Sequence, residues 1–412
     1  MTTPELALDH PPRAAAHRPA MSRRGAFWFV GALLALFLMA STAPSPMYAL
    51  YQQRWGFSAT VLTEVFGAYM VGILVSLLLF GALSDRIGRR PVLGAALLLE
   101  IVAVLVLALS PGVGWLLVGR ALQGIATGAA TGAMSGALLD FQPPGSNRGA
   151  TVNGVAAGAG MALGSGISGA LVQFAPAPTA LAYLLLVVAF AVALPLVGMM
   201  PEPVRTEPRP LPRALRPRRP AVPAGRGKAF ALLATTMLAA WTIGGMFMSL
   251  GPSVAKSLVS GTPYLVGGLA VAAVTGVGSI SQLVCSGWLG RRAVRVAAPV
   301  LIAGLAVVAA SALGGSAVGF FLGSAVVGVG WGTMFMGGFR LLTGLADPEN
   351  RAATSSMIYI VAYLSATIPA VGLGVLTTRA GLVTSTLVFA AVAALFSALA
   401  WASTSAADPG DT

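Results

Sequence analysis

Charge is what this chain has least of. Charged residues fill 9% of its 412 positions, where a soluble domain carries roughly a quarter. There is one cysteine, Cys285, which excludes a disulfide framework or a thiolate metal site within one chain. Both histidines, His10 and His17, lie in the polar first two dozen residues. No HExxH occurs, and no nucleophile stands beside a base. A phosphate cradle of the form Gly-x4-Gly-Lys-Ser/Thr is also missing. The nearest stretch, GRGKAF at 225–230, has neither the spacing nor the hydroxyl. These absences leave no catalytic residue, no metal ligand set and no cofactor to propose, so an enzyme is the weaker class.

What fills the chain instead is apolar. Apolar residues reach 57% and the mean hydropathy is +0.85. So few polar groups cannot cover the surface of a water-soluble protein, so part of the solvent is lipid. A bilayer crossing needs about 20 apolar residues, and such windows recur at 26–50, 59–82, 91–110, 113–139, 149–173 and 178–199. They recur again at 229–255, 262–288, 294–313, 316–343, 352–377 and 381–402. Arg23 and Arg24 before the first run, and MASTA inside it, have the look of a signal peptide. The run continues well past that point and many spans follow, so it is read as an uncleaved first helix.

Between the sixth and seventh runs lies PEPVRTEPRPLPRALRPRRPAVPAGRGK. Proline at that density forbids a continuous helix and makes an extended, solvated linker. The expected organisation is a tail at 1–24, a six-helix half at 25–200, the linker at 201–228, a second six-helix half at 229–403 and a tail at 404–412. A repeat supports the division. NRGAT at 147–151 returns as NRAAT at 350–354, 203 residues later. Each copy follows a proline-containing turn after the fourth span of its half. The fold class is therefore an all-α membrane protein, twelve transmembrane helices in two pseudo-symmetric halves, an arrangement that transporters use.

The basic residues orient it. Placing the N-terminus inside puts 20 of the 25 Lys and Arg in inner segments and three outside, namely Arg54, Lys256 and Arg379. Both termini are expected on the cytoplasmic side of the inner membrane. The net charge of +13 is then a topology signal and an attraction to anionic lipid rather than a mark of nucleic-acid binding.

One connection spends four charges in ten residues: GALSDRIGRR, Gly81 to Arg90. Gly81 and Gly88 permit a tight turn and close helix approach. Arg86, Arg89 and Arg90 suit the inner face. Asp85 does not fit a positive anchor; a carboxylate there wants an Arg, with Arg148 a candidate, or a helix N-terminus such as that of the eleventh span. The plain alternative is a solvated loop that only fixes topology.

GALSDRIGRRPVL resembles the signature of the major facilitator superfamily between helices 2 and 3, and RALQG, Arg120–Gly124, resembles its helix-4 pattern Arg-x-x-Gln-Gly. The resemblance implies a transporter in which Asp85 helps hold the halves together near the start of helix 11. Two stretches depart from the family. The second half has only GWLGRR at 287–292, without the aspartate. The fifth span reads GMALGSGISG at 160–169, with Ser165 where exporters of the family often have proline; its glycines are read as close-packing positions.

Ionisable groups at bilayer depth are expensive and call for an account. Arg120 and Glu100 fall at comparable depth in neighbouring spans and are candidates for a buried pair. Gln123 joins them as membrane-embedded polar groups. Glu64 sits near the outer end of the second span, and Arg340 is expected to snorkel from the inner end of the tenth. Soft side chains cluster on the seventh span at Trp241, Met246 and Met248, and on the tenth at Trp331, Met334 and Met336. They suit an adaptable solute cavity, or simply fill packing gaps. Tyr48 and Tyr51 follow Pro44 and Pro46, which free backbone carbonyls beside a cavity or another helix.

The sequence thus points to a secondary transporter moving a small organic solute by alternating access, with export of a hydrophobic or drug-like compound preferred. Uptake of a sugar or metabolite is the alternative within transporters, and a non-transporting sensor or scaffold the alternative outside them. The expected partners are the small-molecule solute, protons as a candidate coupling ion and the lipid bilayer, with the chain acting as a monomer.

Overall fold

A computed structural model describes residues 21–80, 83–146, 148–204, 221–223, 225–259, 261, 263–346 and 351–406. Twelve long helices account for most of them: α1 Arg23–Thr42, α2 Ala59–Phe80, α3 Arg89–Ala108, α4 Val113–Phe141, α5 Arg148–Phe174, α6 Leu181–Met199, α7 Gly227–Ser249, α8 Pro263–Val284, α9 Gly290–Gly314, α10 Ala317–Gly344, α11 Arg351–Ala380 and α12 Leu382–Ala406. Among the described residues no strand occurs. Eleven helical segments among the described residues are long and apolar enough to cross a membrane. The remaining long helix, α4, has 29 residues, and at about 1.5 Å per residue it has length to spare. It falls short in hydropathy because Arg120, Gln123 and many Gly, Ala and Thr dilute it.

The packing repeats with a shift of six helices. In the first half α4 packs on α1, α2 and α3, α3 on α6, and α1 on α5; in the second, α10 packs on α7, α8 and α9, α9 on α12, and α7 on α11. The cross-half contacts obey the same shift: α5 on α8 and α11 on α2. The two copies of the repeat open α5 at Arg148 and α11 at Arg351.

The first helix of each half breaks in the same place. Pro44 and Pro46 end α1 in a 3-10 turn, Ser45–Met47, followed by a short helix Tyr48–Trp55. Helix α7 stops at Ser249, and Gly251 and Pro252 open a second short helix to Leu258. Proline has no N–H to continue the ladder, so each break strands carbonyls.

Several boundaries differ from the expected ones: α1 begins at Arg23, three residues early, α6 at Leu181, three late, α8 ends at Val284, four early, and α12 at Ala406, four late. Helix α9 starts at Gly290, four residues before the expected 294, and takes Arg291, Arg292 and Arg295 into its first turns. The arginines are accommodated because they reach out of the helix: Arg292 lies 4.7 Å above the Trp288 ring, and Arg295 donates to the Thr404 carbonyl at 3.3 Å.

Candidate functional site

Between the halves, at mid-height, is a cavity lined from α1, α2, α4, α5, α7, α8, α10 and α11. Six aromatic side chains stand in its wall. Trp241 packs edge-on to Phe335 (6.1 Å between ring centroids) and to Tyr363 (4.6 Å). Tyr359 stacks on Tyr363 at 6.3 Å. Tyr69, Trp331, Met70, Met161 and Met248 add to the soft lining, Leu34, Leu38 and Ile73 to the aliphatic part, and Ser41, Thr127, Thr131, Asn153 and Gln282 supply polar atoms. Among the described lining residues none is charged. The Trp331 N–H is spent on the Ala240 carbonyl at 2.8 Å, whereas the buried Trp241 N–H has no partner. The enclosed volume is about 130 Å³, below the roughly 300 Å³ of a drug-sized site, so a larger solute needs the walls to part.

Of the residues singled out in the sequence, Trp241, Met248 and Trp331 line this cavity. Met246 and Met334 do not; they are buried in the packing of the second half, and the half-buried Met336 is not in the lining either. Tyr48 and Tyr51 are buried in the first half instead, where Tyr51 stacks on Trp55 at 4.7 Å. The cavity tyrosines, Tyr69, Tyr359 and Tyr363, carried no sequence signal beyond membership of apolar spans.

Behind the α1–α2–α4 wall sits the buried polar network. Arg120 is 1% exposed and Glu100 fully buried, but they do not pair directly. Gln123 stands between them: its amide nitrogen donates to Glu100 Oε1 at 3.0 Å, and its amide oxygen accepts from Arg120 Nη1. Arg120 also donates to the Ser41 carbonyl at 2.9 Å and lies 4.0 Å over the Tyr69 ring. Gln123 donates in addition to the Ala40 carbonyl at 3.1 Å. That carbonyl is available because the residue four ahead is Pro44, which has no N–H to offer it. Ser168 uses a third carbonyl at the same break, that of Ala43, at 2.6 Å. The glycine closing the helix-4 motif has its own reason. A Cβ on Gly124 would run into the Tyr69 carbonyl and the backbone of Gly72, so α2 and α4 touch main chain to main chain there.

The charged connection forms a second cluster at the end of the bundle where α3 begins. Gly81 lies outside the described residues. Asp85 accepts from Arg89 Nη1 at 2.5 Å, and Arg89 Nε donates to Asp140 on α4 at 3.1 Å. The Arg89 guanidinium fits because it crosses Gly136, where any side chain would collide with it. Gly88 adopts φ +104°, a conformation favouring glycine, and faces the Glu202 carboxylate. That carboxylate caps α3, accepting from the backbone N–H of Arg89 at 2.8 Å and of Arg90 at 2.9 Å. Arg90 donates to the Gly198 carbonyl on α6, and Arg86 is half-buried nearby. Arg148, the candidate partner for Asp85, is exposed at the start of α5, and among the described residues Arg89 pairs with Asp85. Glu202 was missed from sequence because it reads as part of the linker. In the second half Arg340 is exposed, as a snorkelling residue would be, but it donates to the carbonyls of Ser286 (2.7 Å) and Trp288 (2.6 Å).

Opposite that end, the halves are tied together. Thr60 on α2 and Thr378 on α11 are 3.0 Å apart. Ser45 donates to the Met248 carbonyl at 3.0 Å, and the Tyr264 hydroxyl to Gln53 at 2.9 Å. Helices α5 and α8 cross closely at Gly169 and Gly268.

Known proteins resemble this one along most of its length in shape and over short stretches in sequence. A POT family transporter in complex with 5-aminolevulinic acid superposes with a TM-score of 0.72 over 94% of this chain and 96% of that one, at 16% identity. A bacterial homolog of the human lysosomal transporter Spinster, in an inward-facing conformation, superposes with a TM-score of 0.67 over 95% and 98%, at 14% identity. In sequence the chain is 33% identical to Multidrug resistance protein D of Escherichia coli over 96 residues, 23% of this chain and 24% of that protein. It is 38% identical to the efflux pump dotC of Dothistroma septosporum over 100 residues, 24% and 17%, and 31% identical to the inner membrane transport protein YajR of E. coli over 102 residues, 24% and 22%. The matched stretch thus spans a quarter or less of each of these three relatives. Residues 27–370 match the sequence profile of the Major Facilitator Superfamily, and with twelve helices in two halves related by a six-helix shift, this chain belongs to that superfamily and is a multi-pass membrane transporter.

Proposed function

We propose that this transporter exports an apolar, drug-like solute across the inner membrane by alternating access, with both termini cytoplasmic and the chain acting as a monomer. The observation that carries the reading is the mid-height cavity. Its walls are aromatic rings, thioethers and aliphatic chains with a few amides and hydroxyls, its described lining has no charge, and it holds two buried groups without a hydrogen-bond partner, the Trp241 N–H and the Thr127 hydroxyl. Such a wall desolvates apolar solutes readily and adapts to several shapes. A sugar site would need a dense set of oriented hydrogen-bonding groups to replace the water the sugar loses. The printed names of two relatives, a multidrug resistance protein and an efflux pump, favour the same direction.

With the basic end inside, the ties between α2 and α11 lie on the outer side, so the conformation described is the one closed to the outside. The ion-paired cluster of Asp85, Arg89 and Asp140, capped by Glu202, then sits on the inner face. In this reading it is the group of contacts that changes when the inner side closes. Protons are the proposed coupling ion.

Flux in proteoliposomes tests the reading. Uptake of a lipophilic fluorescent dye into inside-out vesicles should exceed that of a hexose, should follow an imposed pH gradient and should fall when the gradient is collapsed. Trp241→Phe, which keeps a ring against Phe335 and Tyr363, should cut dye flux severalfold at matched protein level. Saturable hexose flux indifferent to Trp241 would replace export with uptake, and no flux of either would favour a sensor.

A further inference from the structure

A second cavity, larger than the central one, lies at the end of the bundle where α1 and α5 begin and α4 ends. It has a volume of about 640 Å³ and is lined by Arg23, Arg24, Trp28, Phe141, Arg148 and their neighbours. Three guanidiniums and no carboxylate belong to the described lining. The nearest acid, Asp140, turns its carboxylate toward Arg89 and offers only its backbone carbonyl here, to Arg23 at 2.7 Å. Arg23 also stands 5.8 Å over the Phe141 ring. Arg24 and Arg148 are exposed and have no side-chain partner among the described residues. Three like charges around one cavity repel each other unless an anion joins them. Two helix N-termini, those of α1 and α5, converge on the same place and add partial positive charge.

The other wall is apolar and turned outward. Trp28 is 57% exposed on α1, one turn in from Arg24. An amphipathic ring at that depth belongs at a membrane interface. A free inorganic anion would use the arginines and leave Trp28 and Phe27 idle. A lipid uses both.

We propose that this cavity is a binding site for an anionic phospholipid, its phosphate between Arg24 and Arg148 and an acyl chain along α1 past Trp28. Basic pockets between helices at the membrane face take anionic headgroups for this reason. The site is separate from the solute cavity, and its occupancy does not depend on which solute is carried. Its seat is the α1–α5 pair, and α5 is also the helix that meets the second half at α8.

The test uses the purified full-length chain in detergent, stripped of lipid, with phosphatidylglycerol or phosphatidylcholine carrying brominated acyl chains. Brominated phosphatidylglycerol should quench tryptophan emission at lower concentration than brominated phosphatidylcholine. That excess should vanish in Trp28→Phe, which places the chain beside α1. Arg24→Gln with Arg148→Gln should weaken phosphatidylglycerol binding about twenty- to thirtyfold, a factor of about five for each charge beside an anionic lipid. Arg24→Lys with Arg148→Lys should keep most of the affinity, separating lost charge from lost folding. Equal quenching by both lipids, unchanged by the Gln pair, would reduce the cavity to ordinary lipid contact and overturn the proposal. Loss of the excess in millimolar inorganic phosphate would assign the site to a soluble anion and overturn it too. A third overturning result is quenching seen only after deletion of residues 1–20, which would make the chain's own tail the occupant.

Discussion

Arg120 cannot shed its proton, so acceptors must answer its burial. One is the Ser41 carbonyl and another the Gln123 amide, and the Tyr69 face covers the cation. Both bonds leave one nitrogen, Nη1, so what an ammonium in its place lacks is the flat, weakly hydrated cation that lies on the Tyr69 ring. Arg120→Lys should therefore fold and lose most transport, read as dye flux at matched protein level. Gln123 is the more structural residue, since it bonds to Arg120, Glu100 and the Ala40 carbonyl together. Gln123→Ala leaves each of them short, and should cost about 1–3 kcal/mol, visible as a lowered melting temperature in detergent. Glu100→Gln keeps an oxygen for the Gln123 amide to donate to, and should cost less. A larger loss for Glu100→Gln than for Gln123→Ala would mean that charge attraction between Glu100 and Arg120, rather than the hydrogen-bonded bridge, holds the site. Sequence reasoning located all three residues and the prolines that free the carbonyls. It could not order them into a chain, because helical depth fixes height along the bilayer and says nothing of which way a side chain turns about its axis.

At the scale of elements, the joints between halves are made of small residues. Gly67 on α2 faces Thr367 and Val371 of α11, and Gly374 of α11 faces Thr63. Helices that meet this closely can separate as bodies without unpacking a large side chain. The Thr60 and Thr378 hydroxyls, 3.0 Å apart, offer a place to stop that motion. Cysteines at both positions, with Cys285 changed to Ala, should oxidise to a disulfide of ordinary geometry. Flux should fall on oxidation and return with a reductant; free flux in the crosslinked form would exclude separation at this joint. The helices themselves were legible from hydropathy, and nine of the twelve begin within two residues of the expected start. The exceptions are α6, which starts late at Leu181 after the turn at Ala177, and α1 and α9, which start early at Arg23 and just before Arg291. Charge near a helix end reads as loop in a hydropathy profile, although the side chain can leave the helix while its backbone stays in it. The cavity was less legible than the helices. Trp241, Met248 and Trp331 were found from composition, while Tyr69, Tyr359 and Tyr363 emerge only when α2 and α11 are brought against α7 and α10.

The whole molecule divides its labour unevenly. The first half holds both described ion pairs and the buried network around Arg120, and the second contributes most of the aromatic wall. Topology is its first testable property. A reporter fused at Gly225 or at the C-terminus should read cytoplasmic and one at Lys256 should read external; any reversal would invert the proposed direction of export as well. The uncharged lining has an electrical consequence. When the halves reorient about the cavity, no described lining group carries charge through the field, so the carrier's own movement is voltage-silent there. A cation in the cavity changes that, because one charge crossing 100 mV is worth about 2.3 kcal/mol. In vesicles clamped with potassium and valinomycin, the part of flux that does not depend on protons should ignore voltage for a neutral solute and respond to it for a cationic one. The membrane potential then becomes a selectivity element that no residue of the cavity encodes, sorting solutes by charge where the aromatic wall sorts them by shape.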